Sequence, residues 1–448
     1  MARYVIIGNS VGAVGAVEAI REVDRQGSLV IISDEPHHVY SRPRISEYLA
    51  GKSSMVDMLY RPQDFYQAHS IQTYLGRKAV GIDMDRREVK LEGEEALPWE
   101  YLLLATGGVP FVPKMEGLDK TGIFTFTTLG DAQGIGSALA QTGKAVVIGG
   151  GLIGMSVTEA LVKKGVEVTV IELKDWVLNT ILDQEAALVT RDALAEAGVR
   201  VLTGHTVQRI QGRPDDESRV GGVVLASGDE LPCDMVVVAI GVVPRTELAS
   251  GTPIKVNRGI VVDRRMTTSV PDVYACGDVA EAFDFIYGTN RVIPIWPNAY
   301  LGGRVAGYNM AGMETEYPGG VAMNSLKYFG LPIVSAGLYD PPDSSYQVMK
   351  VLDRQERLYK KLVLKDGIVV GMVFLGAIDK AGIVLGLMRD KTDVRSFQAA
   401  LLAPDFGWAY LPAALRQEKL SGNGQSGGRG PSVLSGGPRG EASPGGQS

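Results

Sequence analysis

The chain is poor in the residues that hold metals or carry electrons through sulfur: two cysteines, Cys233 and Cys276, and four histidines in 448 residues. Neither a disulfide framework nor a thiolate metal cluster can be built from them. His37 and His38 are sequence neighbours and would point apart on an extended segment, so no metal site is expected. Long apolar runs are absent too. The longest, around "MVVVAIGVVP", is strand-sized against the roughly 18 residues that a membrane span needs. No charged, apolar and small-residue leader precedes the first strand-like run at Tyr4, which places the expected location in the cytoplasm. Forty-five Lys and Arg against 51 Asp and Glu give a net charge of −6 with no basic stripe, so nucleic acid is not an expected partner.

What is present has the makings of several cores. At 45% hydrophobic and 21% charged the composition is that of a globular protein, and the length suggests two to four domains at about 100 to 200 residues each. Two stretches, "RYVIIGNSVGAVGAVEAI" and "KAVVIGGGLIGMSVTEAL", superpose with Gly8 on Gly149 and Glu18 on Glu159. Each is a β-branched run, a glycine-rich turn and a helical pattern, and a second strand follows, "SLVIISDE" or "VEVTVIE". The chain repeats one βαβ unit.

In the second copy Gly149, Gly151 and Gly154 form a G-x-G-x-x-G turn, with Leu152 and Ile153 inside it. Such glycines let the backbone approach a pyrophosphate, which the free N–H groups of the helix start can bind. Glu172 closes the following strand, where a carboxylate can accept both hydroxyls of a ribose. A carboxylate there repels a 2′-phosphate, so NADH is expected rather than NADPH, although Lys174 is close by. The first copy, "GNSVGA", keeps Gly8 and Gly12 but puts Ser10 and Ala13 where further glycines belong, with Glu35 as the terminal acid. Taken alone it fits either a dinucleotide site or a structural turn.

"LLLATGGVP" and "MTTSVPDVYACGDVA" complete an ordered set of motifs over residues 4 to about 410. With them the sequence resembles the flavoprotein pyridine-nucleotide reductases, a superfamily that includes glutathione reductase, NADH oxidase, rubredoxin and ferredoxin reductases and the flavin domain of nitrite reductase. The resemblance implies an α/β fold with two Rossmann-like dinucleotide-binding domains, the NAD domain inserted in the FAD domain, and a C-terminal α+β domain. The expected boundaries are 1–112 and 245–318 for FAD, 113–244 for NAD and 319–415 for the last domain, with a Gly/Ser/Pro-rich disordered tail at 421–448. FAD and NADH are the implied cofactors.

By the same resemblance, Ala105, Thr106 and Gly107 cross over beside the FAD, Gly277 and Asp278 place a carboxylate on its ribityl and phosphate region, and Gly241 belongs to a third glycine turn. "VYSRPRISEYLAGK", residues 39–52, is similar to the Y-x-R-P-x-x-S segment of the rubredoxin- and ferredoxin-reductase branch, where Arg42 and Pro43 would meet the FAD pyrophosphate and flavin. The bland alternative is a solvated basic loop. Ser46 and Val80 complete the expected FAD positions. Trp296, at the start of a helix running to about residue 312, is either a flavin neighbour or core.

Disulfide reductases and NADH oxidases of this superfamily need a cysteine beside the flavin, and residues 39–52 contain none. Cys276 and Cys233 read as core. Without a thiol relay, no side chain is expected to be catalytic, and electrons pass to an iron–sulfur protein such as a ferredoxin or rubredoxin, or to a partner subunit. The chain itself is then a homodimer or a subunit of a complex. Two alternatives remain open: an oxygen-consuming NADH oxidase, and a flavin-bearing interaction module of the apoptosis-inducing-factor type. Two positions depart from the branch: Glu47 stands where relatives often carry Lys near the flavin, and Ser156 where they often carry Glu near the nicotinamide.

Overall fold

The computed structural model describes residues 2–93 and 95–420. The chain divides into two compact parts, 1–410 and 411–448. Of the second, helix Ala413–Leu420 is described, and the tail expected at 421–448 lies outside the described residues. No helix among the described residues is long and apolar enough to cross a membrane.

Strand Ala2–Ile7, helix α1 (Val11–Val23) and strand Leu29–Ser33 form the first βαβ unit, the two strands pairing in parallel from Tyr4 with Leu29 to Ile7 with Ile32. The paired stretches Tyr4–Ile7 and Leu29–Ile32 are buried throughout because helices or further sheet cover both faces. Their sheet continues through Ile71–Leu75 on one side and Ala96–Leu104 on the other. Strand Val273–Ala275, from far along the chain, joins the same sheet beside Leu102–Leu104. Helices α2 (Ile45–Leu49) and α3 (Phe65–Ala68) lie in the connection between Leu29–Ser33 and Ile71–Leu75.

The residues between the two parts of that sheet build a second one, of five parallel strands, with Lys144–Ile148 at its centre between Glu167–Glu172 and Met235–Val238. Its helices are α4 (Leu129–Ala138), α5 (Leu152–Lys163) and α6 (Gln184–Glu196). The two crossings between sheets run together: Gly108–Pro110 pairs antiparallel with Val242–Pro244. The architecture is therefore one Rossmann-like unit inserted in another.

Helix α7 (Trp296–Met310) returns to the first unit and lies on α1. The contact is so close that a Cβ on Gly303 would come within 2.0 Å of the Gly12 carbonyl oxygen, and one on Gly307 within 2.4 Å of that of Ala16. The small residues of "NAYLGGRVAGYNM" are thus the price of bringing the α7 start next to the first glycine turn. A five-stranded antiparallel sheet follows, in the order Met323–Tyr328, Leu331–Gly337, Ile368–Leu375, Leu358–Lys365, Gln347–Asp353. Phe329–Gly330 and Asp366–Gly367, all at positive φ, make two-residue hairpins in it, and helix α8 (Ala381–Arg389) covers one face.

Candidate functional site

The carboxyl ends of the parallel strands of both sheets open on one cavity of about 1500 Å³. Ligands bind in open α/β sheets at that end, where loops leave the strands. From the first unit, Gly8, Ser10, Gly12, Glu35, Arg42, Pro43, Ser46, Val80, Ala105, Thr106, Gly107, Gly277, Asp278 and Trp296 line it. From the second come Gly149, Gly151, Leu152, Ile153, Glu172 and Gly241. Ala13 and Gly154 do not line it. Ala13 is fully buried in α1, and Gly154 sits under its own turn, where a Cβ would be 1.9 Å from the Gly149 oxygen. Both serve helix packing.

The two turns have one construction. Gly8 has φ +122°, and its N–H donates to Ile32 O at 2.8 Å; Gly149 has φ +105°, and its N–H donates to Ile171 O at 2.8 Å. Each lets a helix start at the strand's end with no side chain over its free N–H groups; Gly151 caps α5, and a Cβ there would meet nothing within 4 Å. That open cradle fits a pyrophosphate.

The acids are held differently. Glu172 is 7% exposed, and its two oxygens accept the N–H groups of Gly150 (2.7 Å) and Lys174 (2.8 Å). Glu35 accepts instead from side chains, Tyr40 Oη–H at 2.6 Å on one oxygen and the Arg42 guanidinium on the other. Arg42 also donates to Thr127 O at 3.1 Å, and Tyr40 Oη accepts Leu129 N–H, the start of α4, at 3.0 Å. Burial opposes the Arg42 charge, but Tyr40 and Glu35 outweigh it and raise its pKa. Residues 39–52 are thus a strap to the second unit: Tyr40, Ile45 and Leu49 are buried in one cluster with Phe126, Leu129, Val147 and Met155.

Asp278 has no hydrogen-bond partner of its own among the described residues. Burial raises its pKa, opposed only by Arg42. An unpartnered carboxylate on a cavity wall fits the hydroxyl groups of a ribityl chain or ribose. The crossover is braced by Thr106 Oγ1–H on Arg245 O (2.8 Å) and by the Arg245–Asp34 pair (2.7 Å). Trp296 lines the cavity and meets Tyr60 edge-on, ring centres 5.2 Å apart. Cys276 is 1% exposed, and burial pushes its thiol up to about 12, as it does that of Cys233. Neither can serve as a thiolate near neutral pH.

Glu47 does not reach the cavity. Its side chain is 49% exposed and pairs with Arg44 at 2.9 Å across the first turn of α2, where an acid also suits the helix start. Ser156 does line the cavity, bonded to Tyr328 of the C-terminal sheet at 3.0 Å. Tyr40 was legible only as part of the Y-x-R-P string. Tyr328 and Thr127 carry no local signal in the sequence.

Two cradles, two acids and one shared cavity suit a site for two dinucleotides. Residues 2–303 match the family model of pyridine nucleotide-disulphide oxidoreductases, and residues 323–392 that of the rubredoxin NAD+ reductase C-terminal domain. The chain belongs to the pyridine nucleotide-disulphide oxidoreductase family, whose members use FAD and NAD(P)H. It is 32% identical over 394 residues to the nitrite reductase [NAD(P)H] of Bacillus subtilis, covering 88% of this chain but 48% of that protein, so it spans about half that relative's length. It is 30% identical over 404 residues to the NADH-dependent phenylglyoxylate dehydrogenase subunit epsilon of Aromatoleum evansii, covering 90% of this chain and 94% of that one. Among solved structures, the covalent putidaredoxin reductase–putidaredoxin complex matches with a TM-score of 0.81 at 25% identity, over 90% of this chain and 98% of that one. A NAD-dependent persulfide reductase from A. fulgidus matches with 0.81 at 27%, over 94% and 84%.

Proposed function

We propose that the chain is an FAD-containing, NADH-dependent reductase that exchanges electrons with an iron–sulfur protein or partner subunit and has no thiol step. One observation carries this reading: both nucleotide cradles open on a single cavity whose only cysteine, Cys276, is buried and protonated. FAD, held by these residues, would supply the chemistry of hydride uptake and single-electron release. NADH and two oxidised one-electron acceptors become NAD+, a proton and two reduced acceptors. The chain's own work is placement.

In this reading Gly8, Ser10, Gly12, Glu35, Arg42 and Asp278 hold FAD, and Gly149, Gly151 and Glu172 hold NADH. Residues 1–112 and 245–318 form the FAD domain, and 113–244 the NAD domain. Arg42 suits a pyrophosphate because a guanidinium makes paired, charge-assisted hydrogen bonds. Glu172 favours NADH, since its carboxylate would repel a 2′-phosphate. The near full-length likeness to a dehydrogenase subunit, and the likeness to a reductase solved with putidaredoxin, favour work within a complex or with a small carrier. Two free, buried cysteines suit the cytoplasm.

The test is anaerobic. The purified protein should carry a yellow chromophore that NADH bleaches and that a viologen or a ferredoxin restores faster than oxygen does. Failure of NADH to bleach it refutes the reading, and rapid turnover with oxygen alone makes the protein an oxidase. Glu172→Arg should lose the preference for NADH over NADPH; an unchanged preference would refute the ribose contact.

A further inference from the structure

The turn between strands Met323–Tyr328 and Leu331–Gly337 reaches across to α5. Phe329 N–H donates to Glu159 Oε1 at 3.1 Å, and the Tyr328 hydroxyl lies 2.9 Å from Leu152 O and 3.0 Å from Ser156 Oγ. Proton counting fixes the directions. A carbonyl oxygen can only accept, so the single phenolic proton goes to Leu152. The contact with Ser156 is then made by the serine proton, with the phenol oxygen accepting. Ser156 has nothing left to donate, while its own oxygen retains lone pairs at the cavity it lines. Tyr328 is 8% exposed, and burial pushes its pKa up to about 12, so this polarity holds near neutral pH.

The place of Ser156 says what those lone pairs meet. Along the second cradle, Glu172 marks the ribose next to the adenine and the α5 start marks the pyrophosphate. Ser156 lies one helical turn beyond that start, on the same cavity wall system as Trp296 and Ser46. A dinucleotide laid in that order brings its redox ring to Ser156. The carboxamide of that ring carries two N–H donors beside its carbonyl.

We infer that Ser156, held as an acceptor by Tyr328, is a specificity-determining residue that selects the carboxamide N–H of the nicotinamide, with Tyr328 as its positioning residue. The inference rests on the reductase reading above. It gives the C-terminal sheet a part in substrate choice, because Tyr328 sits at its first turn.

The experiment measures calorimetric dissociation constants of the oxidised holoprotein for NAD+, for its 3-acetylpyridine analogue, which replaces the carboxamide N–H donors with a methyl group, and for ADP-ribose, which lacks the ring. The unaltered protein should prefer NAD+ to the analogue by about three- to tenfold, the worth of one hydrogen bond. Ser156→Ala should bring the two constants within about twofold while leaving ADP-ribose unchanged. Tyr328→Phe, which frees the serine proton, should lower the preference to an intermediate value. An unchanged preference in Ser156→Ala, or equal weakening of all three ligands, overturns the inference alone. If the unaltered protein binds neither NAD+ nor ADP-ribose, the reductase reading fails and this inference fails with it.

Discussion

The first glycine turn and the second are copies of one βαβ unit, yet they keep their acids in place by opposite means. Glu172 is fixed by backbone N–H groups of its own unit, Gly150 and Lys174. Glu35 is fixed by Tyr40 and Arg42, which are themselves tied to the second unit through Leu129 N–H and Thr127 O. One acid is self-contained. The other depends on how the two units meet. The chain that follows each acid shows the same contrast: residues 39–52 strap the first unit to the second, whereas α6 fastens the second to the C-terminal sheet through Asp183, the side chain capping its start.

The largest effects should come from the turns, where the copies are most alike. A Cβ on Gly8 would be 2.1 Å from Ala105 O, and one on Gly149 2.5 Å from Ala239 O, both at positive φ. Gly8→Ala should therefore purify with little flavin, and Gly149→Ala should keep its flavin but bind NAD+ about a hundredfold more weakly, about 3 kcal/mol. The flavin-to-protein absorbance ratio and NAD+ calorimetry read these separately. Loss of flavin from both variants would break the assignment of one nucleotide to each copy.

Next is the fastening of α6. Burial works against the Asp183 charge, but Lys361, the Ala186 amide and Tyr359 outweigh it and hold its pKa below the ordinary carboxylate value. Its contribution is therefore complete above that ordinary value, about 3.9, and is lost as pH falls through the lowered folded value. Asp183→Asn leaves Lys361, 8% exposed, without its partner at 2.6 Å. The expected cost is about 3 kcal/mol at neutral pH, shrinking in acid. Urea titrations at pH 7 and pH 3 measure it, and a cost independent of pH would refute the ion pair's part. The outer pairs of the same seam, Lys350–Glu185 and Arg354–Asp192, are half-exposed and should contribute little.

Arg42→Met comes third. It removes one holder of Glu35 and the link to Thr127, and should weaken FAD by about tenfold, the interaction being partly screened by water. NAD+ affinity should stay as it was. Weakening of NAD+ instead would mean that the strap serves the second cradle.

These comparisons also show what a sequence makes legible. Gly8, Gly149, Glu35, Glu172 and the Gly277–Asp278 pair were readable because each is a local pattern: a strand end, a turn and a helix start must adjoin in the chain to make a cradle. The bonds of Tyr328 to Ser156 and of Lys361 to Asp183 join residues far apart in the chain, and nothing beside Tyr328 or Lys361 in the sequence announces either partner. The partner of Glu47 was not legible for a related reason. The adjacent Ser46 lines the cavity, but successive side chains on a helix point in different directions, and Arg44 one turn back was a nearer partner for the acid.

Tyr40→Phe should have the smallest effect and makes the sharpest comparison. The phenol is 4% exposed, donates to Glu35 and accepts from Leu129 N–H, so its removal strips one bond from the first acid and one from the start of α4. The α4 start keeps its Thr128–Asp131 capping box, so the helix should survive. The expected cost is about 1 kcal/mol in urea denaturation, with about a threefold loss of FAD affinity because Arg42 still holds Glu35. Glu172 has no such side chain to lose, so NAD+ binding should not change. If Tyr40→Phe weakens NAD+ as much as FAD, the phenol is setting the geometry of the whole interface between the units, and the contrast between a dependent and a self-contained acid falls.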